Sequence, residues 1–228
     1  MSIVAGIDVG TFHTKSYVAW LRDREFTFGS YRLSPERPLP ERPSAAEGPS
    51  HIGVDAPQGL PKQGFTVRRA DREANTPTKR LPTTWSELSR WPVYRGLIEA
   101  GITLFWRLYE DGKADIPGLP GAKGPVATVF ETYPRYVLRR LWQGRRPIPS
   151  KRKTPAEYIA AVTRLLSRAG YTIPLRHVTE THHVDAMLCA VAAEAFSRSK
   201  GLPGGTVGER PLADPVERVL REGYIVSP

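Results

Sequence analysis

The chain has 228 residues, of which 33 are Lys or Arg and 23 are Asp or Glu, and its formal net charge at pH 7 is +10. This length accommodates one domain with a sizeable core, and the positive charge favours polyanions such as nucleic acid or nucleotides as partners, although an arginine-rich proteome makes any surface basic. A single cysteine, Cys189, excludes a disulfide framework or a cysteine metal site. We expect a cytoplasmic protein, because the sequence has no signal peptide and no apolar run near the roughly 20 residues that span a bilayer.

Three strands are predicted near the start of the chain. Residues 3–8 form an apolar strand that ends in an aspartate and is soon followed by a glycine that lets the chain turn. Residues 15–21 and 25–33 are rich in aromatic and β-branched side chains and flank a short charged turn, which predicts an antiparallel meander. The proline-rich residues 34–50 are expected to form a surface connection with at most a short helix.

The next strand repeats the opening pattern, and a long helical segment follows it. Residues 51–55 form a short apolar strand that again ends in an aspartate and is broken by proline. From residue 62 to 124 the pattern is mostly helical and irregular, with an apolar helix face from 93 to 109. We interpret residues 62–124 as a helical insertion that covers one end of the sheet, within a single domain that spans residues 1–228.

The remainder of the chain predicts one more strand and four helices. Residues 126–131 form a strand that ends in a glutamate, and a helix over about 135–142 follows it. A capping box with proline at the first helical position predicts the next helix over 155–169. An alanine-rich helix over about 181–199 suits close packing on a sheet, and a last short helix is expected over 214–222.

Acidic residues end three of the predicted strands and lie near the start of the alanine-rich helix. Asp8, Asp55 and Glu131 each close a strand. Asp185 lies early in the helix, and His182, three residues before it, is on the same helix face. Because the carboxyl ends of parallel strands meet at one edge of a sheet, these acids are expected to converge and to need divalent cations. The pattern predicts a two-metal site, although each acid taken singly is also explained by turn capping or the helix dipole.

The order of these strands and acids resembles the ribonuclease-H-like superfamily, whose sheet has three antiparallel strands continued by two parallel ones. Its catalytic acids lie on the first strand, the fourth strand and the last helix, where this chain has Asp8, Asp55 and Asp185. The uncharacterised family of predicted ribonuclease-H-like nucleases is similar in five motifs: GID at 6–8, IGVDAPQGLP at 52–61, R-x-x-D-R at 68–72, FETYP at 130–134, and D-A-x-x-C-A-x-A-A from 185. The segment HHVDA at 182–186 resembles the last-helix motif of bacterial Holliday-junction resolvases.

This resemblance implies an α/β domain with a ribonuclease-H-like mixed sheet, made of a three-strand antiparallel meander plus two parallel strands and flanked by helices. It also implies hydrolysis of phosphodiester bonds in nucleic acid with Mg²⁺ or Mn²⁺ as cofactor. The expected metal ligands are Asp8, Asp55, Asp185 and Glu131, and His182 is expected to orient water or a ligand.

Two other functions fit parts of the sequence. The segment GIDVGT at 6–11, with Lys15 beyond it, equally resembles the first phosphate-binding hairpin of sugar kinases and actin-like ATPases, which implies a small ATP-dependent kinase. Against it, those enzymes pair two such domains, and a second hairpin of the D-x-G type is missing because Asp55 is followed by Ala56 and Pro57. The other alternative is a non-enzymatic protein that binds nucleic acid through its basic surface.

Two basic segments are candidates for contact with a nucleic acid. Residues 132–156 contain no acid and interleave cations with aromatic side chains, a composition that suits a phosphate backbone and stacked bases. A second basic cluster follows Asp55 closely in the sequence. The predicted contact residues are Arg68, Arg69, Arg72, Arg139, Arg140, Arg145, Arg146 and Lys151. The alternative for both segments is an ordinary solvated surface, and the pattern suits DNA and RNA alike.

Overall fold

The computed structural model of the protein describes residues 2–40, 48–77, 80–92, 94–122, 124–142 and 147–228. The strands in these residues are β1 (Val4–Asp8), β2 (Ser16–Arg22), β3 (Glu25–Tyr31), β4 (His51–Asp55), β5 (Ala114–Asp115), β6 (Ala127–Glu131), β7 (Val207–Asp214) and β8 (Val219–Ile225). The helices are α1 (Arg69–Ala74), α2 (Trp85–Leu88), α3 (Arg95–Glu110), α4 (Pro134–Leu141), α5 (Pro155–Arg168) and α6 (Thr181–Arg198). None of the helices in the described ranges has the length and apolar character needed to cross a membrane.

All eight strands belong to one mixed sheet with the order β3-β2-β1-β4-β6-β8-β7, and β5 pairs beside β6. β1, β2 and β3 form an antiparallel meander, and β4, β6 and β8 continue from β1 as parallel strands. Asp23 and Arg24 close the β2–β3 hairpin with φ angles of 49° and 64°, as in the two-residue turns that match strand twist. The predicted α/β fold, with a meander, parallel strands and flanking helices, is confirmed.

Helices cover both faces of the sheet, and the alternation along β1 shows which residues face which helix. Ile3, Ala5 and Ile7 lie in the core that includes α3, whereas Val4 lies in the core that includes α6. Successive side chains of a strand point to opposite faces, so Asp8 shares the face of Val4. The carboxyl group at the end of β1 therefore belongs to the α6 side of the sheet.

Two glycines let α6 pack directly on the sheet. A Cβ atom on Gly6 would lie 2.1 Å from the carbonyl oxygen of Ala186, and one on Gly53 would lie 2.5 Å from the carbonyl oxygen of Cys189. Side chains do not approach backbone atoms so closely, so glycine is needed at both positions. The close packing carries Asp185, near the start of α6, toward the ends of β1 and β4.

The short helix predicted over 214–222 is wrong, because the chain forms an antiparallel hairpin of β7 and β8. In its turn, Asp214 accepts a hydrogen bond of 3.1 Å from the backbone amide of Glu217, which is the bond a helix cap would also make. Arg218 then takes a φ of 54° and reverses the chain. Val219 and Leu220 become fully buried in the sheet, and that burial favours the strand over the helix.

The other predicted helices are confirmed to within a few residues. They correspond to α3, α4, α5 and α6. The helix α5 begins at Pro155 as predicted, but the hydroxyl of Thr154 donates to the carbonyl of Ser150 and makes no capping hydrogen bond. Residues 41–47 of the proline-rich connection lie outside the described residues, and its described parts contain no helix or strand.

Candidate active site

Two aspartates lie side by side at the carboxyl edge of the sheet. Asp8 is the last residue of β1, Asp55 is the last residue of β4, and the two are partners in the parallel register. Residues paired in this way point to the same face of a sheet, so both carboxyl groups lie on the α6 side. Asp8 is buried, and Asp55 keeps partial exposure.

The helix α6 contributes a third carboxylate. Asp185 is only 4% exposed, and its Oδ1 accepts a hydrogen bond of 2.8 Å from the hydroxyl of Tyr158, a buried residue of α5. Its Oδ2 accepts a hydrogen bond from the ammonium group of Lys151, which precedes α5 and is partly exposed. Three carboxylates and one ammonium group therefore form a cluster, here called the acid cluster: Asp8, Asp55, Asp185 and Lys151.

The surroundings of the acid cluster raise the pKa values of Asp55 and Asp185. Burial raises the pKa of Asp55 well above its usual value, and the charges of Asp8 and Asp185 raise it further while Lys151 opposes them. Burial also raises the pKa of Asp185, with Asp8 adding to the rise and Lys151 opposing it. Burial lowers the pKa of Lys151, but attraction to Asp185 and Asp8 outweighs it and the pKa is raised. One ammonium group thus undercompensates three carboxylates, and a bound cation would relieve the imbalance.

His182 lies at the solvent side of the acid cluster. Its Nδ1 is 2.7 Å from Oδ2 of Asp8, and its ring stacks on Tyr17 with 5.2 Å between the centroids. The hydrogen bond to Asp8 raises the pKa of His182, and partial burial opposes the rise. His183 contacts the rings of Tyr17 and Phe28 edge-on, at centroid distances of 4.9 and 5.6 Å. Both histidines therefore contact Tyr17, but it is His182 that contacts the acid cluster.

The acidic end of β6 is neutralised by a buried arginine. The two oxygens of Glu131 accept hydrogen bonds of 2.6 and 2.7 Å from Arg68, and Oε2 accepts another of 2.7 Å from the backbone amide of Gln58. Arg68 also donates to Asp71 at 2.7 and 3.1 Å. We call Arg68, Asp71 and Glu131 the Arg68 network. These bonds use both oxygens of Glu131, so the metal ligands proposed below do not include it.

The prediction that Arg68 contacts nucleic acid is wrong. Its side chain is fully buried, so it cannot reach a phosphate, and its guanidinium group is already shared by two carboxylates. Asp71 and Tyr158 were not among the site residues predicted from the sequence, although Asp71 belongs to the R-x-x-D-R motif at 68–72. The spacing of Arg68 and Asp71, three residues apart at the start of α1, is the signal from which the ion pair was predictable. Tyr158 offered no such signal, because it lies in an ordinary amphipathic helix.

The remaining predicted contacts with nucleic acid are divided among three places. Arg69, Arg72, Arg139 and Arg140 are exposed, on α1 and α4. Arg139 donates to the carbonyl of Ala74 and so links these two helices. Lys151 belongs to the acid cluster through Asp185. Arg145 and Arg146 lie outside the described residues.

The donor atoms of the acid cluster suit metal ions, but their present placement does not. Carboxylate oxygens are the donors that Mg²⁺ and Mn²⁺ prefer, so the chemistry of the cluster fits these ions. As the side chains are placed, however, no group of three or more His, Cys, Asp and Glu residues in the described ranges could hold a metal ion. Lys151 occupies one oxygen of Asp185, and His182 contacts one oxygen of Asp8. An ion would therefore have to displace the ammonium group of Lys151.

The turn after β1 uses its own backbone amides. The amide of Gly10 donates to Ser16 at 3.0 Å, the amide of Thr11 donates to Thr14 at 2.7 Å, and the amide of His13 donates to Thr11 at 3.1 Å. A phosphate-binding hairpin presents such amides to its ligand. Because side chains of the same turn accept them here, the structure gives the kinase alternative no support.

The mixed sheet with a leading antiparallel meander is compatible with the ribonuclease-H-like class of α/β folds, and the acid cluster lies at its carboxyl edge. A family model described as "Protein of unknown function (DUF429)" matches residues 6–207. The chain therefore belongs to this family, whose description assigns no activity. No curated protein and no solved structure matches the chain.

Proposed function

We propose that the chain is a metal-dependent nuclease that hydrolyses phosphodiester bonds in nucleic acid, with Mg²⁺ or Mn²⁺ held by Asp8, Asp55 and Asp185. One observation carries the proposal: the register of β1 and β4 pairs Asp8 with Asp55, and Asp185 on α6 interacts electrostatically with both. Ligands of open α/β sheets bind at this edge. Uncompensated buried carboxylates are costly, so folding alone gives no reason for them.

The residues of the site have separable roles in this proposal. Bound metal ions would supply an activated water and stabilise the leaving oxygen. His182 holds the carboxylate of Asp8 through its Nδ1, and Tyr158 holds that of Asp185 through its hydroxyl group. Lys151 compensates the charge of Asp185, and its partly exposed ammonium group would attract a phosphate of the substrate. The net charge of +10 attracts the polyanionic substrate.

The test is cleavage of end-labelled single-stranded and duplex DNA and RNA with Mn²⁺, Mg²⁺ or EDTA. We expect the wild type to cleave with Mn²⁺ or Mg²⁺ and not with EDTA, and Asp8→Asn to lower the cleavage rate by about 100-fold or more. Asp111→Asn is the matched control and should leave the rate unchanged, because Asp111 is an exposed carboxylate that pairs with Lys113. A wild type that hydrolyses ATP but no nucleic acid would contradict the proposal.

A non-enzymatic nucleic-acid-binding protein is the second candidate, and the side-chain placement described above favours it. With Lys151 bound to Asp185, the acids in the described ranges do not form a set that could hold a metal ion, whereas exposed arginines are present on α1 and α4. A protein of this kind would bind nucleic acid equally well with EDTA and with Mn²⁺, would lose affinity with salt, and would leave the strand intact. The same cleavage assay therefore separates the two candidates.

A further inference from the structure

A cavity of about 610 Å³ opens beside the acid cluster. This volume lies within the range of roughly 300–1,000 Å³ that is typical of small-molecule sites. Asp55 and Asp185 line one side of it, so it adjoins the position where the proposed chemistry takes place. We call this space the acid-side cavity.

Two tyrosines give the acid-side cavity an aromatic lining. Tyr133 lies between β6 and α4, immediately before the first residue of α4, and Tyr94 immediately precedes α3. Burial and the charge of Asp55 raise the pKa of Tyr133 to about 12, so its ring stays uncharged at neutral pH. Tyr94 has a φ of 56° and is 51% exposed. Non-glycine residues in this conformation cost about 1–2 kcal/mol and concentrate at ligand sites.

Two arginines give the same cavity a positive side. Arg135, in the first turn of α4, donates one hydrogen bond of 3.1 Å to the carbonyl of Pro149, which anchors its guanidinium group at the cavity. Arg152 lies on the segment that also carries Lys151 and is exposed. A cavity lined by carboxylates, two tyrosines and two arginines offers contacts for both the base and the phosphate of a nucleotide.

We propose that the acid-side cavity binds one unpaired nucleotide of the substrate, with its base against Tyr133 and Tyr94 and the phosphate next to the scissile one at Arg135 and Arg152. The inference rests on the proposed nuclease function and names its substrate class, which is a single strand or an unpaired end of DNA or RNA. A base inside a duplex must first leave its stack, at a cost of a few kcal/mol, before it enters such a cavity. The protein should therefore discriminate against duplex substrates.

The experiment measures binding in EDTA, so that it does not depend on metal ions or cleavage. The probes are ten-nucleotide DNA and RNA strands with one 2-aminopurine, whose fluorescence falls on stacking, and the same strands in duplex form. We expect quenching and at least about tenfold tighter binding for the single strands than for the duplexes, as the cost of unstacking requires. DNA and RNA arms that differ in affinity would identify the natural strand.

Variants locate the binding in the acid-side cavity. Tyr133→Leu should lower single-strand affinity by about tenfold and relieve the quenching, whereas Tyr133→Phe, which keeps the ring, should preserve both. Arg152→Ala should lower the affinity and the slope of its salt dependence by about one unit, because one phosphate contact is lost. Arg164→Ala, an exposed arginine of α5, is the matched control and should bind like the wild type. Since Arg152 is exposed, its variant remains informative if Tyr133→Leu does not fold.

Two outcomes overturn the inference: equal binding of duplex and single strand, or Tyr133→Leu and Arg152→Ala variants that both bind and quench like the wild type. Failure of the proposed function has a different result. In that case the strands bind and quench as expected, but Mn²⁺ produces no cleavage, and the acid-side cavity stands as a nucleotide site without the nuclease. Conversely, Asp8-dependent cleavage with a preference for duplex would keep the nuclease and remove the cavity from substrate binding.

Discussion

Two groups of buried acids differ in how completely their charge is compensated. In the Arg68 network, one fully buried guanidinium group binds both oxygens of Glu131 and both oxygens of Asp71. In the acid cluster, three carboxylates share one partly exposed ammonium group. Residues of both groups line the same cavity, so the cavity does not distinguish them. Each group contains at least one acid at the carboxyl end of a parallel strand. Hydrogen-bond completeness, rather than position in the fold, therefore separates an acid with a structural role from one available for chemistry.

The largest expected effect on stability is the loss of Arg68. Arg68→Met leaves two buried carboxylates without a compensating cation, so we expect the free energy of unfolding to fall by about 3–5 kcal/mol. Urea unfolding followed by circular dichroism measures it. Arg72→Met, an exposed position on the same helix, should unfold like the wild type. An Arg68→Met protein with wild-type stability would mean that the network is not what holds these acids.

Neutralising the strand-end acids one at a time should have opposite effects. Glu131→Gln breaks the pairing with Arg68 and should lower the free energy of unfolding by about 2–3 kcal/mol. Asp55→Asn removes charge repulsion and should raise the free energy of unfolding at pH 8, because the raised pKa of Asp55 means that its ionised form is disfavoured in the folded state. Equal signs for the two substitutions would contradict the comparison.

The added stability of Asp55→Asn over the wild type should increase with pH. The folded-state pKa of Asp55 is raised above the usual 3.8, so the folded state binds its proton more tightly than the unfolded state. The ionisation of Asp55 therefore lowers the stability of the wild type as the pH rises from about 3.8 through the folded pKa, and the Asn variant lacks this contribution. Unfolding at pH 4 and pH 8 measures the difference, which should nearly vanish at pH 4.

Metal binding should stabilise the protein through the acid cluster alone. At a Mn²⁺ concentration of 100 times the dissociation constant we expect about 2.7 kcal/mol of added stability, which EDTA removes. The gain should be larger at pH 8 than at pH 6, because the raised pKa of Asp55 means that a proton must leave before the ion binds. Asp55→Asn should abolish the stabilisation by Mn²⁺. Glu131→Gln should keep this stabilisation, although the variant is less stable than the wild type without the ion. A gain that survives in Asp55→Asn would place the ion elsewhere.

The smallest expected effect concerns His182. Its hydrogen bond to Asp8 raises its pKa above 6.5, so the stabilising ion pair is complete below pH 6.5 and is lost as the pH rises through the folded pKa. Because His182 is about half exposed, His182→Ala should cost only a few tenths of a kcal/mol at pH 6 and less at pH 8. His177→Ala, an exposed histidine, is the control in the same thermal unfolding series. If the loss of stability in His182→Ala increased with pH, His182 would not be protonated in its contact with Asp8, contrary to this assignment.

Local pattern in the sequence was enough to predict most elements of the fold. The two strand-then-aspartate segments became β1 and β4 in register, and the alanine-rich segment became α6. The glycines of these strands explain why that pattern is informative, since Gly6 and Gly53 are required by the contact with α6. The C-terminal hairpin was missed because Asp214 and Glu217 make the same local bond in a turn as in a helix cap, and only burial of β8 decides between them.

The sequence by itself determined that acids would gather at the carboxyl edge of a mixed sheet, because strand ends and helix periodicity are local properties. Only the tertiary structure decided which cation pairs with each acid. Arg68 and Glu131 are 63 positions apart, and Lys151 and Asp185 are 34 positions apart. Such pairings depend on where the chain returns in space, which no local pattern encodes. The same holds for the acid-side cavity, whose lining comes from segments spread between Asp55 and Asp185.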